Sequence, residues 1–155
     1  MKKIICTLIS LILIFTTLTS QAAADEQPKT EVISNADGYT IVITTRKESL
    51  STDSNTRVLI TNDSKDFTCY QNGVALWKVT LSGTFQYNGV FATCIGSGCT
   101  TTVYASGWSC SSKSSSESGN VAIADATMVK KVLGVVTETR YVHLTLTCDP
   151  NGNVS

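Results

Sequence analysis

Catalytic motifs are absent from this sequence. It contains one histidine, His143, and no G-x-S-x-G, H-E-x-x-H or Gly-rich phosphate-binding motif, the patterns that mark common nucleophile, zinc and phosphate sites. A histidine that acts as a general base needs a nucleophile and an orienting carboxylate, and no nucleophile motif accompanies His143. We therefore predict that the chain is not an enzyme and uses no cofactor or metal.

Clustered positive charge is equally scarce. The 155 residues carry 12 Lys and Arg against 12 Asp and Glu, and beyond the N-terminus basic residues form nothing larger than pairs such as Lys130 and Lys131. Nucleic-acid binding relies on clustered Lys and Arg. The composition therefore argues against nucleic acid as a partner.

Long apolar runs are missing after the first 24 residues. That segment starts with Lys2 and Lys3, continues with an apolar run over 4–15 and ends in the small residues of TSQAAA, the three-part pattern of a secretory signal. The run is shorter than the roughly 20 residues that span a bilayer. We predict a cleaved signal peptide over 1–24, which removes Cys6, and a secreted, extracellular product with no membrane partner.

Helical periodicity is also missing, and the remaining sequence alternates with the period of a strand. β-Branched residues alternate over 39–46, and no apolar stripe of 3.6-residue period appears. Asn72 with Gly73, and Asn88 with Gly89, each suit a type I′ turn, which needs positive φ at both residues. The two turns bracket one long strand and predict a three-stranded meander. We predict an all-β chain, an antiparallel β-sandwich of seven or eight strands stabilised by disulfides.

Composition also predicts the limits of the domain. Residues 25–38 are polar and predict a flexible lead-in. Residues 39–155 predict a single domain, of which 65–155 is the best-supported part. The polar segment 47–56 and the serine-rich segment 109–120 break the alternation and predict loops.

Two cysteines are predicted to point into the core, because side chains alternate along a strand. Counting back from a two-residue turn at 88–89 sets Cys94 opposite Gly83 on the core face. Cys148 shares the apolar face of the last strand with the residues two, four and six positions before it. Two inward cysteines near strand ends of an exported protein predict a disulfide between the facing sheets.

The other three cysteines are predicted to behave differently from this pair. Cys99 and Cys110 flank one strand and its turn, which predicts a second, local disulfide. The ideal register of the first hairpin puts Cys69 on the face opposite Trp77, so we expect a free thiol or an intermolecular bridge there. A zinc site from the other four cysteines is the alternative, but no C-x-x-C is present and export favours disulfides.

Aromatic residues offer a candidate binding face. Tyr70, Tyr104, Trp108 and Tyr141 could line a strip for sugars or peptides, although aromatic residues pack in cores more often than they bind. His143 alternates away from the apolar residues of the last strand, and we expect it to be exposed on a polar face.

One stretch of the sequence resembles a known group. The segment NGVALWKVTLSGTFQYNGVFATC, with SGW, SGNVA and the closing LTLTCDPNGNVS, is similar to small exported proteins of Gram-positive bacteria to which no activity is assigned. The similarity covers the C-terminal part of the chain and includes Cys94 and Cys148, whereas Cys69, Cys99 and Cys110 are extra to it. It implies an exported all-β domain and no catalytic residue.

These observations predict a secreted, non-catalytic protein that acts as an extracellular binding or surface-interaction module for a glycan or a protein. A secreted antagonist of the bacteriocin kind is one alternative. A small secreted hydrolase that uses His143 is the other.

Overall fold

Alternating residues and frequent β-branched side chains place most of this chain in strands. The computed structural model describes residues 27–34, 38–52 and 58–155, and the predicted signal peptide with Cys6 lies outside these ranges. The described residues contain no helix long and apolar enough to span a membrane. They form eight strands, in chain order β1 (Lys29–Ser34), β2 (Tyr39–Thr52), β3 (Leu59–Gln71), β4 (Val74–Tyr87), β5 (Ala92–Val103), β6 (Trp108–Ser118), β7 (Val121–Val132) and β8 (Val135–Thr147).

The strands form two antiparallel sheets. One has the order β1-β2-β3-β4-β5 and the other the order β6-β7-β8. β5 and β6 are consecutive but belong to different sheets, and side chains link them, since the Ser97 hydroxyl donates to the Glu117 carboxylate at 2.7 Å. The prediction of an all-β antiparallel chain is confirmed, and so is the meander, which is β3-β4-β5.

The inner faces of the two sheets share one apolar core. β4 contributes its alternating large residues, led by Trp77 and Phe85, and the facing β7 contributes the small Ala122, Ala124 and Ala126. Gly83 is required where the sheets come close, because a Cβ atom there would lie 2.7 Å from the Phe85 ring and 3.1 Å from Cβ of Ala122. Large residues on one sheet thus pack against small residues on the other.

The β4–β5 connection is longer than predicted. Cys94 pairs with Phe85, where the two-residue turn had predicted Gly83. The loop therefore spans 88–91. The side-chain oxygen of Asn88 stabilises it by accepting two hydrogen bonds from backbone N–H groups of the loop, at 3.0 and 3.1 Å. A shift by two residues preserves the alternation. The prediction that Cys94 points into the core is confirmed.

A β-bulge in the β3–β4 hairpin overturns the prediction for Cys69. Asn72 and Gly73 both have positive φ, 50° and 78°, as the predicted turn requires. Leu76 is an extra residue on β4, however, so that Cys69 pairs with Trp77. A slip of one residue moves a side chain to the other face of the sheet. Cys69 is buried in the core at 2% exposure, and the prediction that it faces away from Trp77 is wrong.

This burial makes Cys69→Ser more harmful than the sequence alone suggests. The Cys69 side chain is 2% exposed, and this burial raises the pKa of its thiol to about 11. We expect the buried hydroxyl of Cys69→Ser to lower the free energy of unfolding by about 1–3 kcal/mol, measured by urea denaturation. Cys69→Ala is the control, and an equal or larger loss in that variant would contradict the explanation.

Three segments predicted to be irregular contain strands. Within 25–38, Lys29–Ser34 form β1, which pairs along β2. Within 47–56, β2 continues to Thr52 past a bulge, while 53–57 lie outside the described residues. The serine-rich segment 109–120 is largely β6, paired with β7. Backbone hydrogen bonds to a neighbouring strand form whatever the side chains are, so they override a weak strand propensity.

Candidate functional site

The four aromatic residues predicted as a binding strip do not form one surface. Trp108 is buried in the core, with its ring 5.8 Å from that of Trp77. Tyr70 is half-buried on β3, and Tyr104 is exposed in the connection from β5 to β6. Tyr141, on the outer face of β8, is 82% exposed. Of the four, Tyr141 has the most accessible ring.

Tyr141 belongs to a polar pocket on the outer face of the three-stranded sheet. The pairing register places two rows of three cross-strand neighbours there, Ser114 with Asp125 and His143, and Ser112 with Thr127 and Tyr141. These residues line a shallow pocket of about 290 Å³, called the outer pocket below. It combines an exposed aromatic ring with hydroxyl, imidazole and carboxylate groups.

Within the outer pocket, His143 and Asp125 form a cross-strand pair. The distance between His143 Nδ1 and Asp125 Oδ1 is 2.7 Å, and the two side chains are 63% and 61% exposed. The prediction that His143 is exposed on the polar face is confirmed. Exposed pairs of this kind contribute about 0–1 kcal/mol to stability. The pair therefore contributes little to stability, while the bond to Nδ1 orients the imidazole ring.

The order of residues across the strands limits what His143 can do. A catalytic histidine takes a proton from a nucleophile about 2.6–3.2 Å away. Asp125 lies between Ser114 and His143, and adjacent strands are about 4.8 Å apart. The pocket thus supplies the orienting carboxylate of a catalytic triad, while both of its serines, Ser112 and Ser114, are two strands away from the imidazole.

No register was predicted for β7 and β8, so sequence analysis missed Asp125, and another β-bulge would have misplaced it by one residue. The β7–β8 hairpin turns at Leu133 and Gly134, which have φ values of 50° and 82°, and Gly134 is a turn signal that could have been used. Counting back from that turn places Asp125 opposite Val142. A register shift between Lys130 and Lys131 moves the pairing by one residue, to His143.

The outer face of the five-stranded sheet carries a charge cluster of a different kind. Asp66 accepts hydrogen bonds from Thr80 Oγ1 at 2.6 Å and Arg46 Nη1 at 2.7 Å, with Lys78 Nζ at 3.5 Å. Burial alone would raise the pKa of Asp66, but these donors and charges hold it below its ordinary value. The carboxylate is satisfied by its own chain, so we assign this cluster a structural role.

Cys94 and Cys148 lie beside the same β6–β7 turn. The Cys94 N–H donates to the carbonyl of Gly119 at 2.8 Å, and the Cys148 N–H donates to that of Asn120 at 3.0 Å. Burial raises the pKa of Cys148 to about 11, nearby acidic groups add to the shift, and Cys94 contributes as well. The five described cysteines are free thiols in the structure, so the disulfides remain predictions.

The other cysteines occupy two further regions. Cys99 and Cys110 are half-buried against the core. Burial raises the pKa of Cys99, Lys113 lowers it, and the nearby Cys110 thiol raises it. Cys69 is paired at the Trp77 end of β4, eight residues from the Phe85 partner of Cys94. Eight strand residues span about 26 Å, far beyond the reach of a disulfide. Among the described residues no group of three or more His, Cys, Asp or Glu is arranged to hold a metal ion.

Comparisons with known proteins do not extend these observations. No family model matches the chain, and neither curated proteins nor solved structures give a match. The fold and the outer pocket therefore define an all-β protein of two antiparallel sheets with a polar, aromatic surface site.

Proposed function

We propose that this chain is an exported, extracellular β-sandwich module that binds a glycan in the outer pocket without catalysis. The N-terminal signal pattern and the resemblance to exported proteins support export. The observation that carries the binding proposal is the pairing of the exposed Tyr141 ring with the His143 and Asp125 side chains in one pocket.

The chemistry of the outer pocket suits a sugar. A pyranose ring presents C–H groups on its faces and hydroxyl groups around its edge. The Tyr141 ring offers an apolar surface to those C–H groups, and its 82% exposure means that the core gains little from it. Asp125 accepts hydrogen bonds from hydroxyl groups, and the serine and threonine hydroxyls of the pocket both donate and accept.

The shape of the outer pocket indicates one or two sugar units of a longer chain. Pockets for small ligands have about 300–1,000 Å³ and enclose most of the ligand. At about 290 Å³ the outer pocket is at the lower limit, and it lies on the outer face of a sheet, open to solvent. A polymer that crosses the sheet can leave such a pocket in both directions.

The proposal can be tested by co-sedimentation with purified peptidoglycan, chitin and mannan-coated beads. We expect the wild-type chain to bind one of these, and Tyr141→Ala to weaken that binding about tenfold, which is about 1.4 kcal/mol. Tyr104→Ala is the matched control, because it removes another exposed tyrosine outside the pocket. Binding of none of the three, or equal binding by Tyr141→Ala, would overturn the proposal.

The His143–Asp125 pair also favours a second candidate, a hydrolase in which Asp125 orients His143 as a general base. The same incubations distinguish the two. Release of new reducing ends that His143→Ala abolishes would establish hydrolysis. Recovery of intact glycan supports binding alone.

We further propose that the exported form carries a disulfide between Cys94 and Cys148 and another between Cys99 and Cys110, with Cys69 free. Two arguments support the first pair, their burial and their attachment to adjacent residues of the β6–β7 turn. The oxidising environment outside the cell favours both bonds. The first would join the two sheets covalently.

A further inference from the structure

A second surface lies at one end of the molecule, where three connections meet. These are the β3–β4 turn, the β5–β6 connection and the β7–β8 turn. With the strand residues beside them they span 72–74, 103–107 and 132–136, together called the loop end below. Two backbone hydrogen bonds hold them side by side. The Tyr104 N–H donates to the Leu76 carbonyl at 2.9 Å, and the Lys131 N–H donates to the Gly107 carbonyl at 2.8 Å.

The loop end concentrates exposed apolar side chains. Of the 13 large hydrophobic residues exposed in the described part of the chain, seven lie here. They are Val74, Val103, Tyr104, Val132, Leu133, Val135 and Val136. Single exposed apolar residues are ordinary on a protein surface, whereas a group of them at one place marks an interaction site.

Leu133 at the tip shows that the fold itself does not require this apolar character. Its φ of 50° lies in the left-handed region, which is unfavourable for a leucine and suits asparagine. Its side chain is 99% exposed, so it stabilises no contact within the chain. Asparagine would form the same turn with less strain, so neither the turn nor the core requires a leucine at this position.

The charges beside the tip indicate the chemistry of that partner. Lys130 and Lys131 directly precede the apolar residues of the β7–β8 turn. The nearby carboxylate of Glu138 already accepts hydrogen bonds from Arg140 at 2.6 Å and from Tyr39 at 2.8 Å. The tip is consequently apolar with a cationic base, which complements anionic headgroups above hydrocarbon.

We propose that the loop end docks on an anionic phospholipid surface, with Leu133 and its valine neighbours entering the interface and the two lysines contacting lipid phosphates. Protruding loops can enter a bilayer interface without exposing strand edges to it. This surface lies apart from the outer pocket, because Tyr141 is six residues, about 20 Å, along β8 from Val135. It also revises the expectation of no membrane partner, which rested on the lack of a long apolar run.

Vesicle flotation of the mature chain tests the proposal. One set of vesicles contains phosphatidylglycerol mixed with phosphatidylcholine, and the other contains phosphatidylcholine alone. We expect binding to the anionic vesicles, and about tenfold weaker binding for Leu133→Asn, a loss of about 1.4 kcal/mol. Leu133→Asn suits the turn and should fold normally. Lys130→Gln with Lys131→Gln should weaken binding to the anionic vesicles and reduce its dependence on salt.

Val90→Asn is the matched control, because Val90 is 82% exposed in the β4–β5 loop, outside the loop end. Absence of vesicle binding by the wild-type chain, or an equal loss in Val90→Asn and Leu133→Asn, would overturn the proposal. A wild-type dimer that Leu133→Asn makes monomeric, without vesicle binding, would show that a second copy covers the loop end. Glycan binding should be unchanged in Leu133→Asn, so failure here is distinguishable from failure of the glycan proposal.

Discussion

Removing either Cys94 or Cys148 from the oxidised protein should lower the free energy of unfolding by about 3–4 kcal/mol. The proposed bond closes a loop of more than 50 residues, and in the chain-entropy model such a loop restricts the unfolded chain strongly. Because Cys94→Ala and Cys148→Ala delete the same bond, the double variant should be little less stable than either single variant. Urea denaturation of the three variants and the wild type measures this.

Two controls separate the disulfide from simple packing. In reducing buffer the wild type should lose most of its advantage over the variants, because only small changes of buried volume then remain. Non-reducing peptide mapping should yield a fragment that links Cys94 to Cys148. A fragment that links Cys94 to Cys99 or Cys110, with Cys148 alkylated as a free thiol, would refute the pairing.

Trp77→Ala should destabilise the protein by about 3–5 kcal/mol, the usual cost of truncating a buried aromatic residue. Trp77 is 1% exposed. Its ring lies 5.9 Å from that of Phe67 in a parallel stack and 5.8 Å from that of Trp108. The truncation would therefore remove a contact with each sheet at once. Unfolding followed by circular dichroism avoids the change in tryptophan fluorescence.

Trp77→Phe is the matched variant. Nε1 of Trp77 is buried without a hydrogen-bond partner among the described residues, so the phenylalanine loses ring volume but no hydrogen bond. We expect a loss well below that of Trp77→Ala. A loss as large as that of the alanine variant would mean that the indole N–H is bonded. A double-mutant cycle with Phe67→Leu should give about 0.5–1.5 kcal/mol of coupling from the stacked rings.

The sequence by itself determined the structural class and the inward face of β4 and β8. Alternation of period two is local, since each side chain's direction follows from that of its neighbour. For that reason Phe85 and Leu146 could be assigned to the core by counting. The turn at Asn72 and Gly73 was equally local, because few residue pairs tolerate positive φ twice.

Only the tertiary structure decided the register. One extra residue at Leu76 turned Cys69 into the core, and the shift between Lys130 and Lys131 brought Asp125 to His143. No local signal marks either bulge, because a bulge forms where packing between sheets and pairing with a neighbouring strand are better satisfied by one unpaired residue.

The serine-rich β6 is a further element that only the tertiary structure decided. Its sequence has the composition of a loop, yet it pairs with β7 along its length and supplies Ser112 and Ser114 to the outer pocket. The sequence alone could name His143 as an exposed residue of a polar face and Tyr141 as a candidate binding residue. It could not place them beside residues of two other strands, because those contacts arise from backbone hydrogen bonds that do not depend on side-chain identity.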